Sequence, residues 1–260
     1  MITVLKTTLL MLLTLSSAKA ADQKPKSIKP LAYWNFEKFQ NGGFKDISGN
    51  KNFAKFNTKT KGYKPELISS PFGKALRFHR DKAMWLQLSE PNKFNLDEKF
   101  TVMFWVNGGE HTKKRISYIL CKGYERTTMK KFKIYNGWII KYGYRTVLLD
   151  FPIANEKHQR VRSPRNISIA PGSWTHICIT YDGKKYQLYI NGSERKIATV
   201  SDKIIPSKLP LTIGNYIGGS RKAFAFDGAI DEIKIFDRAL SLSQVWNQAA
   251  SKLKPAPGKN

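Results

Sequence analysis

Residues 171–192, PGSWTHICITYDGKKYQLYING, hold two apolar runs, WTHICITY and YQLYI, on either side of Asp182-Gly183-Lys184-Lys185. β-Branched and aromatic residues around an Asp-Gly turn signal predict an antiparallel hairpin. One face of the first run carries Ile177, Ile179 and Tyr181, and the other Trp174, His176, Cys178 and Thr180. Both faces are mostly apolar, which suits a strand buried between two layers rather than one with a wet face. Asn191-Gly192 adds a second turn, so this hairpin is central and ends in another reversal.

Working outward, FTVMFWV at 100–106 is the next strongest strand signal, its aromatics alternating with β-branched residues. LAYWNF, FAKF, KALRFH, MWLQL, ISYILCKG, WIIKYGY, TVLLDFPI, PLTIGNY and AIDEIKIF complete the strand inventory. About a dozen short strands at roughly ten-residue spacing, separated by Gly, Pro, Asn and Asp, predict an all-β, two-sheet antiparallel sandwich. One short C-terminal helix is expected. Ser241 and Gln244 form a capping box, with Leu242, Val245, Trp246 and Ala249 on one face. No internal repeat or boundary divides residues 31–250, which read as one domain.

The ends are different in kind. Residues 1–20 combine Lys6, an apolar stretch and Ala18-Lys19-Ala20, the pattern of a secretory signal peptide cut after Ala20. The apolar run falls short of the roughly 20 residues of a membrane span, and no later segment qualifies. The expected location is therefore secreted, extracellular or periplasmic. Residues 21–30 read as a flexible leader and 251–260 as a flexible tail.

The chain has 45 Lys+Arg against 19 Asp+Glu, a net charge of +26 and a pI near 10.0. Such a charge raises the local concentration of anionic partners and makes binding salt-sensitive. A secretory signal and the lack of any nucleic-acid motif argue against nucleic acid. Residues 110–165 hold fourteen basic residues against four acidic ones. Much of this charge is expected in two loops, 122–133 and 157–165, converging into one anion-binding face. Lys130, Lys131, Lys133, Arg145, Arg160, Arg162 and Arg165 are the candidate ligand-binding residues. An arginine fork can hold a sulfate or carboxylate through two hydrogen bonds. The competing reading is a solvated, solubilising charge.

Cys121 and Cys178 are the only cysteines, too few for a disulfide scaffold. They either pair in an oxidising compartment or act as two buried thiols.

The blocks LAYWNFE, DISGN, SPFGKALRFH, FTVMFWV, ILCKG, SWTHICITYDG, YQLYINGS, LTIGNY and FDGAIDEIKIFDRALS occur in an order that resembles the LamG-like jelly-roll family. These are concanavalin A-like domains related in shape to laminin G modules and pentraxins, and the resemblance runs over roughly 31–247. It implies a jelly-roll sandwich and frequent glycan binding. It also implies a structural calcium between the D-x-S-G-N loop and the closing strand, with Asp46, Asn50 and Asp231 as ligands. An Asx turn at Asp46 and a strand-end acid at Asp231 are the alternative. Trp174 and His176 match the family's W-x-H strand start, where His176 reads as a packed residue. The pentraxin-like bridge is absent, because Met103 stands at its first position.

Catalytic patterns of this fold are missing. The E-x-D-x-E strand of jelly-roll hydrolases is absent; Asp227, Asp231 and Glu232 come closest but match the closing structural block. The Arg-Thr-Glu-like and Gln-x-His strands of the lyases are absent too, and the histidines, at 79, 111, 158 and 176, are scattered. The expectation is a non-catalytic module binding an acidic or sulfated polysaccharide or cell-surface glycan. The alternative is an extracellular protein–protein adhesion module, with a lyase or hydrolase a distant third.

Overall fold

The computed structural model describes residues 28–96, 98–109, 116–127, 132–144, 146–152, 158–163, 169, 172–199, 204–217 and 224–250. The described residues hold seventeen strands and one α-helix in two antiparallel sheets. In chain order these are β1 (Ala32–Trp34), β2 (Phe39–Gln40), β3 (Gly43–Phe44), β4 (Ala54–Asn57), β5 (Glu66–Ser70), β6 (Gly73–Phe78), β7 (Trp85–Leu88), β8 (Phe100–Gly108) and β9 (Ser117–Thr127). Then follow β10 (Phe132–Gly143), β11 (Thr146–Pro152), β12 (His158–Arg162), β13 (Thr175–Tyr181), β14 (Lys185–Ile190), β15 (Ser193–Thr199), β16 (Thr212–Ile213), β17 (Gly228–Phe236) and α1 (Leu242–Ala250).

Sheet 1 runs β15-β14-β13-β8-β17-β6-β5, with β1 also paired to β17. Sheet 2 runs β12-β11-β10-β9-β16-β7-β4-β3-β2. The Asp182 hairpin forms as the sequence predicts: Asp182 Oδ1 accepts from the N–H groups of Lys184 and Lys185, and Gly183 takes the left-handed φ of 97°. Its strand β13 lies between β8 and β14 and is buried from end to end. Ile177, Ile179 and Tyr181 face the main core, while Cys178 joins Met103, Tyr189 and Val245 beneath α1. A strand covered on both faces needs no polar side.

The main core fills the space between the sheets. Phe100, Val102, Phe104 and Val106 of β8 meet Trp138, Ile140 and Tyr142 of β10 and Leu149 and Phe151 of β11. Burying each such side chain contributes roughly 1.5–3 kcal/mol. Trp34 and Trp138 are fully buried, and their indole N–H groups donate to the carbonyls of Asn52 and Phe94.

The helix start carries the predicted capping box, Ser241 N–H donating to Gln244 Oε1 at 2.9 Å and Gln244 N–H to Ser241 Oγ at 3.4 Å. Its apolar face is narrower than expected. Val245 and Ala249 are buried, whereas Leu242 and Trp246 are 46% and 44% exposed. A further correction concerns 122–133 and 157–165, expected as loops. Most of the first belongs to β9 and β10, and 158–162 is β12. No helix among the described residues is long and apolar enough to cross a membrane.

Candidate functional site

The loop after β3 is organised by one carboxylate. Asp46 Oδ1 accepts from Tyr33 N–H at 2.9 Å and Ser48 N–H at 2.8 Å. Its Oδ2 accepts from Ser48 Oγ, Asn52 N–H and Asn52 Nδ2 at 2.8, 3.1 and 2.6 Å. Five donors fill a group with about four lone-pair sites. Asn50 spends its Nδ2 on the carbonyls of Pro30 and Leu31. A calcium ion needs six to eight oxygens. The donor set as arranged fits a hydrogen-bonded loop anchor and not a calcium ion, and the described residues hold no His, Cys, Asp and Glu cluster suited to a metal.

Asp231, the third residue expected at that site, shares no hydrogen-bond partner with Asp46. It sits at a β-bulge. Asp231 pairs with Trp105 and Lys234 with Met103, so β17 takes three steps where β8 takes two, and Glu232 adopts φ 53°. Asp231 Oδ2 accepts from Ser70 Oγ at 2.7 Å and its Oδ1 from Glu232 N–H at 2.7 Å. Burial pushes the Asp231 carboxyl up to about 7, and the neighbouring Glu232 charge adds to that, against the pull of the two donors. Glu232 accepts the Tyr33 hydroxyl and lies 3.8 Å from Lys234 Nζ, which also donates to the Gln248 carbonyl of α1. Burial, with the Glu232 hydrogen bond, raises the Tyr33 phenol. The His176 ring lies tilted against Trp105, 5.1 Å between centroids, and burial and then the Lys234 charge push its imidazole down to about 3. It is a neutral, packed ring, as its place in the W-x-H pattern implies.

Of the basic candidates, Lys130, Lys131, Arg145 and Arg165 lie outside the described residues. Lys133 stands opposite Arg126 in the β9–β10 ladder. Arg160 stands opposite Asp150 and Arg162 opposite Leu148, on β12, one of the two edge strands of sheet 2. Next to them is a buried ion pair that the sequence did not reveal. Lys141 Nζ and Asp150 Oδ2 meet at 2.8 Å, and Lys141 also lies 5.4 Å from the Tyr118 ring. Lys122 is different: its Nζ donates to Asn95 Oδ1 and Ser207 O, and burial pushes its ammonium down to about 8. It ties loops together. Cys121 and Cys178 are buried thiols on the outer sides of different sheets and do not pair with each other.

Sheet 1 presents a second surface on its outer side, beyond the part covered by α1. Asn107 and Trp105 of β8, Ala229 and Asp231 of β17, and Ile68 and Ser70 of β5 each stand two apart and so share a face. Trp105, Phe72 and Trp174 form a half-buried ledge, Phe72 lying 4.6 Å from Trp105 and 6.4 Å from Trp174 between centroids. One row away opens a cleft of about 300 Å³ lined by Ile68, Arg77, Asn107 and Ala229, floored by glycine backbone at 108–109 and 228. A Cβ on Gly228 would stand 2.5 Å from the Asn107 carbonyl, so the floor has to stay bare. Arg77 is held by Asp227 at 2.6 Å and donates also to the Phe78 carbonyl. Phe72, Arg77, Trp105 and Trp174 lie far apart in the sequence, and no local pattern connects them.

No curated protein matches the chain in sequence. Among solved structures, the binding domain of Paraclostridial Mosquitocidal Protein 1 aligns with a TM-score of 0.61 at 19% identity, over 84% of this chain and 51% of that one. The ligand binding domain of botulinum neurotoxin serotype D, solved with N-acetylneuraminic acid, aligns at 0.56 and 14% identity, over 84% and 49%. The chain thus spans about half the length of these toxin domains. Domain 4 of AbnA, a GH43 extracellular arabinanase from Geobacillus stearothermophilus solved with arabinotriose, aligns at 0.59 and 19% identity, over 86% and 100%. At these identities the likeness is one of fold. Residues 81–246 match the Laminin_G_3 family, and the chain therefore belongs to the concanavalin A-like lectin/glucanases superfamily.

Proposed function

We propose that the chain is a secreted carbohydrate-binding module without catalytic activity, whose ligand is an acidic or sulfated polysaccharide. The observation that carries this reading is the pair of arginines on an edge strand of sheet 2 in a strongly basic chain. Arg160 and Arg162 occupy that edge strand and Lys133 faces Arg126 in the β9–β10 hairpin, in a chain of net charge +26. An edge of cations tracks an extended polyanion without a deep pocket. The likeness in fold to domains solved with N-acetylneuraminic acid and with arabinotriose supports a sugar as the ligand class. Binding without turnover is supported by the carboxylates. Of the acids nearest to a hydrolase arrangement, Asp231 and Glu232 are 0% and 3% exposed and engaged by Ser70, Tyr33 and Lys234, and Asp227 is paired with Arg77.

The test is a glycan array at low and moderate salt, followed by elution from a sulfated-polysaccharide column. Replacing Arg160, Arg162 and Arg165 with Ser lowers the eluting salt while thermal unfolding stays unchanged. A wild-type protein that is not retained, or a triple variant that elutes with wild type, refutes the reading.

A further inference from the structure

The cleft on the outer side of sheet 1 is unlike the margin of sheet 2 in its charge. Among the described residues its one lining cation, Arg77, is paired with Asp227, and Glu66, opposite Arg77 in the ladder, lies 2.6 Å from His79. A balanced site does not select an anion. It does offer directional hydrogen bonds. Asn107 commits Oδ1 to Gly172 N–H at 3.0 Å, and its Nδ2 has no partner among the described residues. Arg77 places one nitrogen on Asp227 and one on the Phe78 carbonyl, out of five N–H donors.

Beside these donors stand three aromatic rings on a half-buried ledge. Ring faces carry negative charge density and attract the slightly positive C–H bonds that a sugar ring presents on one side. The cleft has the volume of a small ligand site, about 300 Å³, and combines apolar walls with a few convergent polar groups. Trp105 and Asn107 stand on the same face of β8, about 6.6 Å apart for two strand steps, so one small ligand can meet both.

We propose that this cleft is a second sugar site, taking one uncharged sugar residue laid against the Trp105–Phe72–Trp174 ledge and hydrogen-bonded by Arg77 and Asn107. The inference rests on the carbohydrate-binding reading but not on the basic margin, so the chain grips a polysaccharide at two places with different chemistry. Contacts at the ledge are short-ranged and insensitive to salt, whereas those at the margin are screened.

The test is titration of tryptophan fluorescence with uncharged oligosaccharides: arabinotriose, xylotriose, cellotriose and tri-N-acetylchitotriose. Binding by one of them, unchanged between about 0.1 M and about 1 M NaCl, is expected. Trp174→Ala weakens it by about tenfold or more, Trp174→Phe restores most of it, and Asn107→Ala weakens it further. Arg160→Ser with Arg162→Ser leaves it untouched. Thermal unfolding of each variant separates loss of the site from loss of the fold. If none of the uncharged sugars binds while the sulfated polysaccharide is retained, the second site is overturned and the first reading stands. If an uncharged sugar binds but the Trp174 and Asn107 variants match wild type, the site lies elsewhere and the proposal fails. If neither class binds, both readings fall together.

Discussion

Lys141 and Asp150 form an ion pair of 2.8 Å whose side chains are 1% and 0% exposed, on the side of sheet 2 that faces away from the core. Their neighbours along the strands, Ile140 and Tyr142 on β10 and Leu149 and Phe151 on β11, point into the core, so alternation sends this pair outward. Removing one partner of such a pair strands a buried charge. Asp150→Ala is expected to cost about 3 kcal/mol or more in urea unfolding, whereas Lys141→Met with Asp150→Leu costs much less than the two single changes together. Additive losses in that cycle would show that the two groups act separately.

The Asp46 geometry predicts indifference to calcium. Its carboxylate anchors Tyr33, Ser48 and Asn52, joining β1 to the loop after β3. Adding calcium or a chelator leaves the unfolding temperature unchanged, while Asp46→Ala costs about 2 kcal/mol by orphaning buried donors. A rise in unfolding temperature with calcium that Asp46→Ala abolishes would restore the ion.

Asp231 sets a pH dependence whose sign follows from its environment. Its carboxyl titrates near 7 in the folded chain and near 3.8 when unfolded. Below pH 4 both states hold the proton and the contribution to stability is full. Between about pH 4 and 7 the unfolded chain releases the proton first, so stability falls as pH rises, and above 7 the loss is complete. Asp231→Asn keeps an acceptor for Glu232 N–H and gives Ser70 Oγ a donor. The variant is therefore expected to flatten this slope and to be more stable than wild type at pH 8, by on the order of 1 kcal/mol. Parallel slopes for variant and wild type between pH 4 and 8 would place the titration on another group.

How far the sequence carries the fold can be judged from particular residues. The hairpin at 175–190 was legible because an Asp-Gly turn and alternating apolar residues are local signals. So was the cap of α1, which spans four residues. β2, β3 and β16 are two residues long and have no period to read. The first part of β9 reads as a strand, but its end from residue 122 and the whole of β12 read as loops because their basic residues mask the alternation that the ladders impose. The candidate site was less legible still. Asp46 advertises oxygen ligands, but the five donors that saturate it come from β1, its own loop and Asn52. Ser70 meets Asp231 across 161 residues of sequence, and Phe72 reaches Trp105 only because β5 and β6 lie beside β17. Such meetings depend on sheet order, which no local pattern encodes.

The turn between β14 and β15 supports α1, and this gives a final prediction. Asn191 and Gly192 both take left-handed φ, 49° and 73°, between the paired Ile190 and Ser193, which is the geometry of a two-residue hairpin turn. Asn191 Oδ1 accepts from His176 N–H, binding the turn to β13. Gly192 lies against the Trp246 ring, and a Cβ there would stand 2.1 Å from it. Gly192→Ala therefore meets two penalties, a left-handed φ and a ring that must move. It is expected to cost about 2 kcal/mol, the backbone share being about 1. Trp246 is 44% exposed, so Trp246→Ala alone costs less than that. In the double variant the ring no longer obstructs the methyl group, and only the backbone share of the Gly192 penalty remains. Urea unfolding of the four proteins measures the difference. A double variant whose loss equals the sum of the single losses would mean that Trp246 does not rest on Gly192.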